Sequence, residues 1–415
     1  MRIGYACLAL AVPGSELKSC TQKYAEEQRL AALIANNLKA LECMVSYNLE
    51  NGIRLYRISS DLIPFGSSPI NTLDWANLFC EDFSRIGEKI RAGGMRVPMH
   101  PGQYTVLGAP DEDVATRAVQ DLAYHERVLD ALGTGPDSKI ILHLGGVYGD
   151  KTAALKRFEA RYAALDPAIR RRVVLENDDR LYTAEDALNE GLRLGAPVVF
   201  DNLHHAVNPS GPAEPGYWID ACRQTWGPGD GPQKIHYSQQ DPSKKPGSHA
   251  ATIDSGKFID FLNQAGRDDL DVMLEVKDKN RSAVKCILCA ASVPDRTSLE
   301  REWARYKYAV LERSQSEYLK IRKLFREDAI APRIFYALVE SALAQPIEAG
   351  GAVNAAQHVW GYFKDRASET EKRSFQAALA RYAQGGPLEP VKQTLRRMAE
   401  AYGERYLLES YYFSR

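Results

Sequence analysis

Val173-Val174-Leu175-Glu176 and, one helix-length later, Val198-Val199-Phe200-Asp201 decide the fold: each is a short apolar run closed by an acid. Such runs alternating with helix-length segments give parallel strands joined by crossover helices. Working outward from these two, the same unit recurs until eight have been counted. Strands are predicted at 3–7, 55–60, 96–100, 139–144, 172–177, 197–202, 233–238 and 271–276. Helices are predicted at about 21–48, 73–92, 112–132, 151–164, 184–194, 215–225, 255–265 and 280–290. Eight repeats at this spacing fit a (β/α)8 barrel better than an open sheet.

Six of the eight strands end in a metal-ligand type: His100, His143, Glu176, Asp201 with His204 close behind, His236 and Glu275. Side chains at the carboxyl ends of barrel strands converge on one face, so these residues are expected to share one cavity. The loop after the seventh strand adds Asp241 and His249. A lone histidine at a strand end is more often a hydrogen-bonded structural residue, but packing alone does not explain so many together. Imidazole nitrogens mixed with carboxylate oxygens suit zinc, manganese or similar ions, and the absence of thiolates from the set favours catalysis over a closed structural site. Nine candidate ligands exceed what one ion uses, so a cluster of two or three divalent ions is expected. Clustered ions activate water, clamp a phosphodiester and stabilise a departing oxyanion. No serine elbow, Walker loop or GxGxxG stands at a strand-to-helix junction, which disfavours acyl transfer, nucleotide hydrolysis and dinucleotide redox chemistry.

The chain has 415 residues, 45% of them hydrophobic, enough for a barrel and a smaller domain. A net charge of −1 argues against non-specific coating of polyanions. Seven scattered cysteines fit reduced thiols in a cytoplasmic protein, and Cys286 and Cys289, a single CxxC, read as structural. Residues 3–12 are too short to span a bilayer and read as the first strand. After Val293-Pro294-Asp295 the strand pattern stops, and helices are predicted at 296–330, 332–344, 353–367, 369–384 and 388–408. The expected domains are therefore 1–293, the barrel, and 295–415, all helical. The second carries 20 Lys+Arg against 16 Asp+Glu, too modest an excess to assign a partner.

Nucleic-acid features are fewer. The third strand runs on as His100-Pro101-Gly102-Gln103-Tyr104, projecting an amide and a ring beside the ligands, and Tyr5 is expected on the same rim. Rings stack on unstacked bases and a glutamine can fill the gap left by an extruded nucleotide, although the tyrosines could also simply wall the cavity. Lys244, Lys245, Lys277, Lys279 and Arg281 follow the last two strands and are candidates for phosphate contacts. Arg170-Arg171-Arg172 precedes the fifth strand and reads as a solvated charge run. His125 and His205 read as structural or supporting, and His358 falls in the helical domain.

Seven segments, in order, closely resemble the UV damage endonuclease family: Leu55 to Phe65, Met99 to Tyr104, Leu142 to Gly146, Leu175 to Asp178, Phe200 to His205, Ile235 to Gln239 and Met273 to Lys279. The resemblance covers about 1–290 and implies a TIM barrel related to endonuclease IV. It also implies a manganese-type cluster that nicks damaged double-stranded DNA immediately 5′ to pyrimidine dimers and 6-4 photoproducts, with abasic sites as lesser substrates, leaving a 3′-hydroxyl and a 5′-phosphate. Zinc or magnesium are the alternative ions, and no nucleotide cofactor or membrane is implied. By resemblance His100, His143, Glu176, Asp201, His204, His236, His249 and Glu275 match metal-site residues, with Glu176 as bridge. Glu176, Lys234 and His236 would carry the chemistry, Lys234 matching a lysine that can be carboxylated, and Tyr5, Gln103 and Tyr104 match lesion-probing residues. The chain departs at Ser68, where the family often has histidine. Asn354 to Lys364, with the helix from Trp303, resembles the YbgA-like domain of unknown function; Asn354, Gln357 and His358 there read as ordinary helix packing. The rival readings are a metal-dependent sugar isomerase or epimerase on the same barrel, and a non-catalytic binder of damaged DNA.

Overall fold

The structure, a computed structural model, describes residues 1–413 apart from 213 and 294, so the expected linker residue Pro294 lies outside the described residues. By contacts it separates into two compact units, one formed chiefly by residues up to Ile287 and the other chiefly from Leu288 onward.

Among the described residues the first unit holds seven parallel strands: β1 Arg2–Ala6, β2 Leu55–Arg57, β3 Ile140–His143, β4 Val173–Glu176, β5 Val198–Asp201, β6 Lys234–Tyr237 and β7 Asp271–Leu274. Their order in the sheet is β2-β1-β7-β6-β5-β4-β3. The predicted strand at 96–100 is not continuous. It closes the cylinder between β2 and β3 through parallel bridges Leu55 to Arg96, Ile58 to Met99 and Met99 to Ile140. Pro98 is the reason: its carbonyl accepts from Ile58 N at 2.9 Å, but it has no N–H to return to a ladder.

Most predicted helices stand close to where the sequence puts them, for example Glu112–Ala131, Ala184–Leu194 and Asn280–Ala290. The helix between β4 and β5 shows why. Thr183 caps it by accepting from Asp186 N while the Asp186 carboxylate accepts from Thr183 N, and Gly195 ends it at φ 63°.

Strand parity positions the site. Ile141, Val174 and Val199 form one apolar layer inside the barrel with Trp226, and Ala6, Leu55 and Met273 form another. Two residues further along the same faces come His143, Glu176, Asp201, Arg57 and Glu275, so the inner surface turns from apolar to ionisable within one pleat. At the opposite end the barrel is closed by Arg96, which donates to Asp271 Oδ2 at 2.9 Å and lies over the Trp226 ring, and by Lys139 paired with Asp230. Arg172 belongs to this closure and corrects the solvated reading of the arginine run. It is 2% exposed and donates to the Thr134, Gly135 and Ser138 carbonyls, while Arg170 and Arg171 are exposed.

In the second unit the helices are Arg296–Leu311, Gln315–Leu324, Pro332–Leu343, Ala349–Trp360, Glu369–Ala383, Glu389–Ala401 and Arg405–Leu408. Their apolar core includes Leu311, Val359, Phe363, Phe375, Val391, Leu395 and Tyr412. Several boundaries differ from expectation, among them the end of the predicted 353–367 helix, which falls at Trp360. The predicted 296–330 helix breaks at Ser314, whose extended backbone starts a new helix and whose hydroxyl caps Glu317 N. The helix predicted from 353 begins at Ala349, because Gly350 and Gly351 join its first turn; a Cβ on Gly351 would stand 2.9 Å from the Glu312 carbonyl, so only glycine permits that approach. The predicted 388–408 helix is interrupted at Gly403, φ 64°. No helix among the described residues is long and apolar enough to cross a membrane.

Candidate metal centre

Glu176 stands at the middle of the site, 1% exposed, and divides its two carboxylate oxygens between two groups of residues. Oε2 faces His100 Nε2 at 3.1 Å and His143 Nε2 at 3.5 Å. Oε1 faces His236 Nδ1 at 2.6 Å, with His204 Nδ1 at 3.9 Å. Two sets of potential ligand atoms each lie within 4.8 Å of one another: His100, His143, Glu176; and Glu176, Asp201, His236. Glu275 joins through His236 Nδ1 at 3.4 Å, and His249 Nε2 lies 3.8 Å from Glu275 Oε2.

The donors fit divalent ions by what they leave unused. Asp201 Oδ1 caps the short helix Asn202–Val207 by accepting from His204 N at 2.7 Å, whereas its Oδ2 is buried with no hydrogen bond. His143 Nδ1 and His236 Nε2 are likewise buried and unbonded. His204 turns Nδ1 to the Asn177 carbonyl at 2.9 Å and His100 turns Nδ1 to the Pro101 carbonyl at 2.9 Å, the outer contacts that fix ligand tautomers and free Nε2. Buried acceptors left bare in native structures call for an ion or water.

The protonation states agree. Burial pushes His236 down to about 4 and also lowers His143 and His249, so these imidazoles are neutral at physiological pH. Glu176 would be raised by burial, but His236, His143 and His100 hold it well below the ordinary carboxylate range. Burial lifts Asp201 to about 7, and His204, though buried, is raised to about 9 chiefly by Asp201 and Glu176. A cation in place of those two protons would leave carboxylates and neutral imidazoles, the forms that coordinate.

Sequence reasoning missed Arg57. It occupies the carboxyl end of β2, pairs with Glu275 Oε1 and, against the cost of its own burial, holds Glu275 ionised. An arginine closing a strand is not a ligand type, so the pattern that found the others passed over it.

Other expected residues divide. Gln103 and Tyr104 are exposed, Tyr104 at 68%, and Gln103 lines a cleft with His143, His204, Asp178 and Leu181. Tyr5 is not on the rim. Parity turns it out of the barrel under the helix Glu27–Glu50, where it is fully buried and its hydroxyl donates to Asn48 at 2.9 Å. Asp241 is not with the cluster: Oδ1 accepts from Ser243 and Oδ2 pairs with Lys277 at 3.0 Å, so Lys277 too is engaged. Lys244 and Lys245 are exposed, and Lys234 is buried in the barrel with no hydrogen bond to its amine among the described residues, its pKa driven well down by burial and by Arg96 and Arg57. His125 is a support: it contacts the Asp121 carbonyl and Ser60 Oγ, and Ser60 Oγ donates to the His100 carbonyl at 2.9 Å. His205 packs between Phe200 and Trp218. His358 and Gln357 are exposed, and Ser68 accepts from Ile70 N within its own turn. Cys286 and Cys289 are buried thiols that form no disulfide.

With this geometry in view, comparison with known proteins is decisive. The family model described as UV-endonuclease UvdE matches residues 1–299. The chain belongs to that family. A second model, a protein of unknown function (DUF1722), matches 307–415. The UV DNA damage endonuclease of Clostridium perfringens is 34% identical over 379 residues, covering 90% of this chain and 91% of the relative, so that likeness runs through both segments. The UV DNA damage endonuclease of Bacillus velezensis is 33% identical over 287 residues, 68% of this chain and 90% of its own. The crystal structure of SacUVDE superposes with a TM-score of 0.66 at 35% identity, covering 69% of this chain and 96% of that one.

Proposed function

We propose that this member of the UvdE family is a cytoplasmic DNA repair endonuclease that nicks the duplex immediately 5′ to pyrimidine dimers and 6-4 photoproducts, and more weakly at abasic sites. The nick leaves a 3′-hydroxyl and a 5′-phosphate. The nuclease is residues 1–293, and 295–415 is a helical domain attached to it. The cofactor is two or three divalent ions, manganese first, with zinc or magnesium as alternatives. The observation that carries the reading is Glu176, whose two oxygens serve two separate ligand groups at 2.6 Å and 3.1 Å, as a bridging carboxylate must.

His100 and His143 would hold one ion with Glu176; Asp201 and His236 would hold another; His204, His249 and Glu275 complete the set. When bound, such ions supply hydroxide at neutral pH and positive charge on the phosphate oxygens. The chain's own part is orientation. Arg57 keeps Glu275 anionic, Asn177 orders Asp201 and His204, and the apolar layer beneath excludes water from behind. Lys234, inside the barrel below His236, would act through His236 and Glu176, in free or carboxylated form. Gln103 and Tyr104 stand where a duplex would meet the cleft and would fill the space left by flipped-out bases. Lys244 and Lys245 are free to meet backbone phosphates.

Replacing Glu176 by alanine should lower incision of a dimer-containing duplex by about 1,000-fold or more, the scale of losing a group that stabilises the transition state. Binding to that duplex should persist. Nicking retained at added manganese would overturn the role given to Glu176.

A further inference from the structure

The helical unit carries a cluster that the barrel chemistry does not use. Trp303 and Lys307 lie one turn apart on Arg296–Leu311. Lys307 Nζ sits 4.7 Å from the centroid of Tyr308 and 4.9 Å from that of Tyr406. It is half-buried, and among the described residues no carboxylate or hydrogen-bond acceptor meets it. Its ammonium is held by ring faces alone, so N–H donors remain for an incoming acceptor. Beside it Tyr362 and Tyr406 stack at 5.7 Å with planes 17° apart, each residue 36% exposed. Tyr308 donates to the Tyr362 hydroxyl at 3.3 Å. Tyr318 extends the patch, 5.4 Å from Trp303 and with the Arg322 guanidinium 5.9 Å over its ring.

The chemistry of an occupant follows. The aromatic walls already hold a cation, so a cationic ligand is disfavoured and an oxyanion favoured. Ring walls also reduce screening of the ammonium, which makes an ion contact stronger than on an open surface. Partly exposed rings next to an anion-seeking amine match a phosphate joined to a flat base.

We propose that this patch binds a nucleotide unit of single-stranded DNA, Lys307 taking the phosphate and Tyr362 with Tyr406 the base. The site stands independently of the incision chemistry. The test is acetylation of the intact full-length protein, followed by mass spectrometry at Lys307. It is run alone and with an oligothymidylate, thymidine monophosphate, inorganic phosphate or a glutamate-rich peptide at matched anion concentration. The oligothymidylate should protect Lys307 several-fold, thymidine monophosphate less, and inorganic phosphate and the peptide should not. Tyr362→Leu, on an exposed ring, should abolish that protection while leaving labelling of the free protein unchanged. Equal labelling in every arm would overturn the site. Protection by the monophosphate, by phosphate or by the peptide equal to that by the strand would overturn the occupant, and protection surviving in Tyr362→Leu would overturn the role of the stacked pair. Because the reading is taken at Lys307 itself, a failed barrel function and a failed patch give different results.

Discussion

The barrel and the helical unit both bury carboxylates, and they treat them in opposite ways. In the helical unit each is neutralised by its neighbour: Glu302 accepts from Arg305 at 2.9 Å and from the Tyr336 hydroxyl at 3.0 Å, and Glu312 pairs with Lys392 at 2.7 Å. At the mouth of the barrel Glu176, Asp201 and Glu275 converge with Arg57 and His204 as the charge partners, and several acceptor atoms stay bare. Backbone strain divides the same way. Cys7, Phe65, Tyr148 and Lys279 all have left-handed φ, from 51° to 71°, and each lies in a segment following a barrel strand, at the cluster's end; Ala11, at φ 56° and grouped with the second unit, is the exception. From 295 onward the described residues with positive φ are Gly385 and Gly403. Uncompensated charge and strain are costs that packing alone does not repay, so the end of the barrel that carries both is where chemistry is expected.

That contrast can be broken by removing Arg57. If the barrel's carboxylates depend on it, Arg57→Met should raise the Glu275 pKa and cut metal affinity or incision by about 10- to 100-fold, the usual effect of losing a group behind a ligand. Metal titration at pH 6 and pH 8 checks the sign, because the loss should be larger at pH 6, where the freed carboxyl binds protons. Unchanged affinity at both would leave Arg57 a packing residue.

The opposite end should behave in reverse. Arg172→Ala removes donors from three buried carbonyls and should lower stability by about 2–4 kcal/mol in denaturant unfolding. Incision by the folded fraction should be unchanged, and Arg171→Ala should do nothing measurable. A stable Arg172→Ala variant with slow incision would mean that the closed end of the barrel takes part in the reaction.

The smallest effect is expected from truncation after Asp295. Incision of a short dimer-containing duplex should be kept by the barrel that remains. Loss of turnover in a still-folded fragment, judged by circular dichroism, would place the helical domain within the enzyme proper.

Much of this was legible before any coordinates. His143, Glu176, Asp201, His236 and Glu275 could be read because each closes or immediately follows an apolar run, and a barrel maps that position onto one face. The misreadings have the same root. Tyr5 belongs to the same strand end, but its parity points it outward, and without knowing which alternate residues face in, a strand yields position along the axis and not side. Arg172 was hidden inside a run of three arginines whose first two are solvated. The third strand was placed correctly as a segment, but Pro98 removes the donor that would have made it a ladder. In the helical unit, helix starts set by Ser314 or by the close approach of Gly351 depend on tertiary contacts that local periodicity does not contain.

The central claim, that Glu176 joins two ion sites, is tested most directly by calorimetric titration of manganese into metal-free protein. At least two ions per chain are expected in the native protein. Proton release on binding should fall as pH rises from about 7 through about 9, where Asp201 and then His204 have already lost the protons a cation displaces. In Glu176→Ala the tight two-ion stoichiometry should collapse. A single ion per chain in the native protein, or two ions bound equally well by Glu176→Ala, would contradict the account.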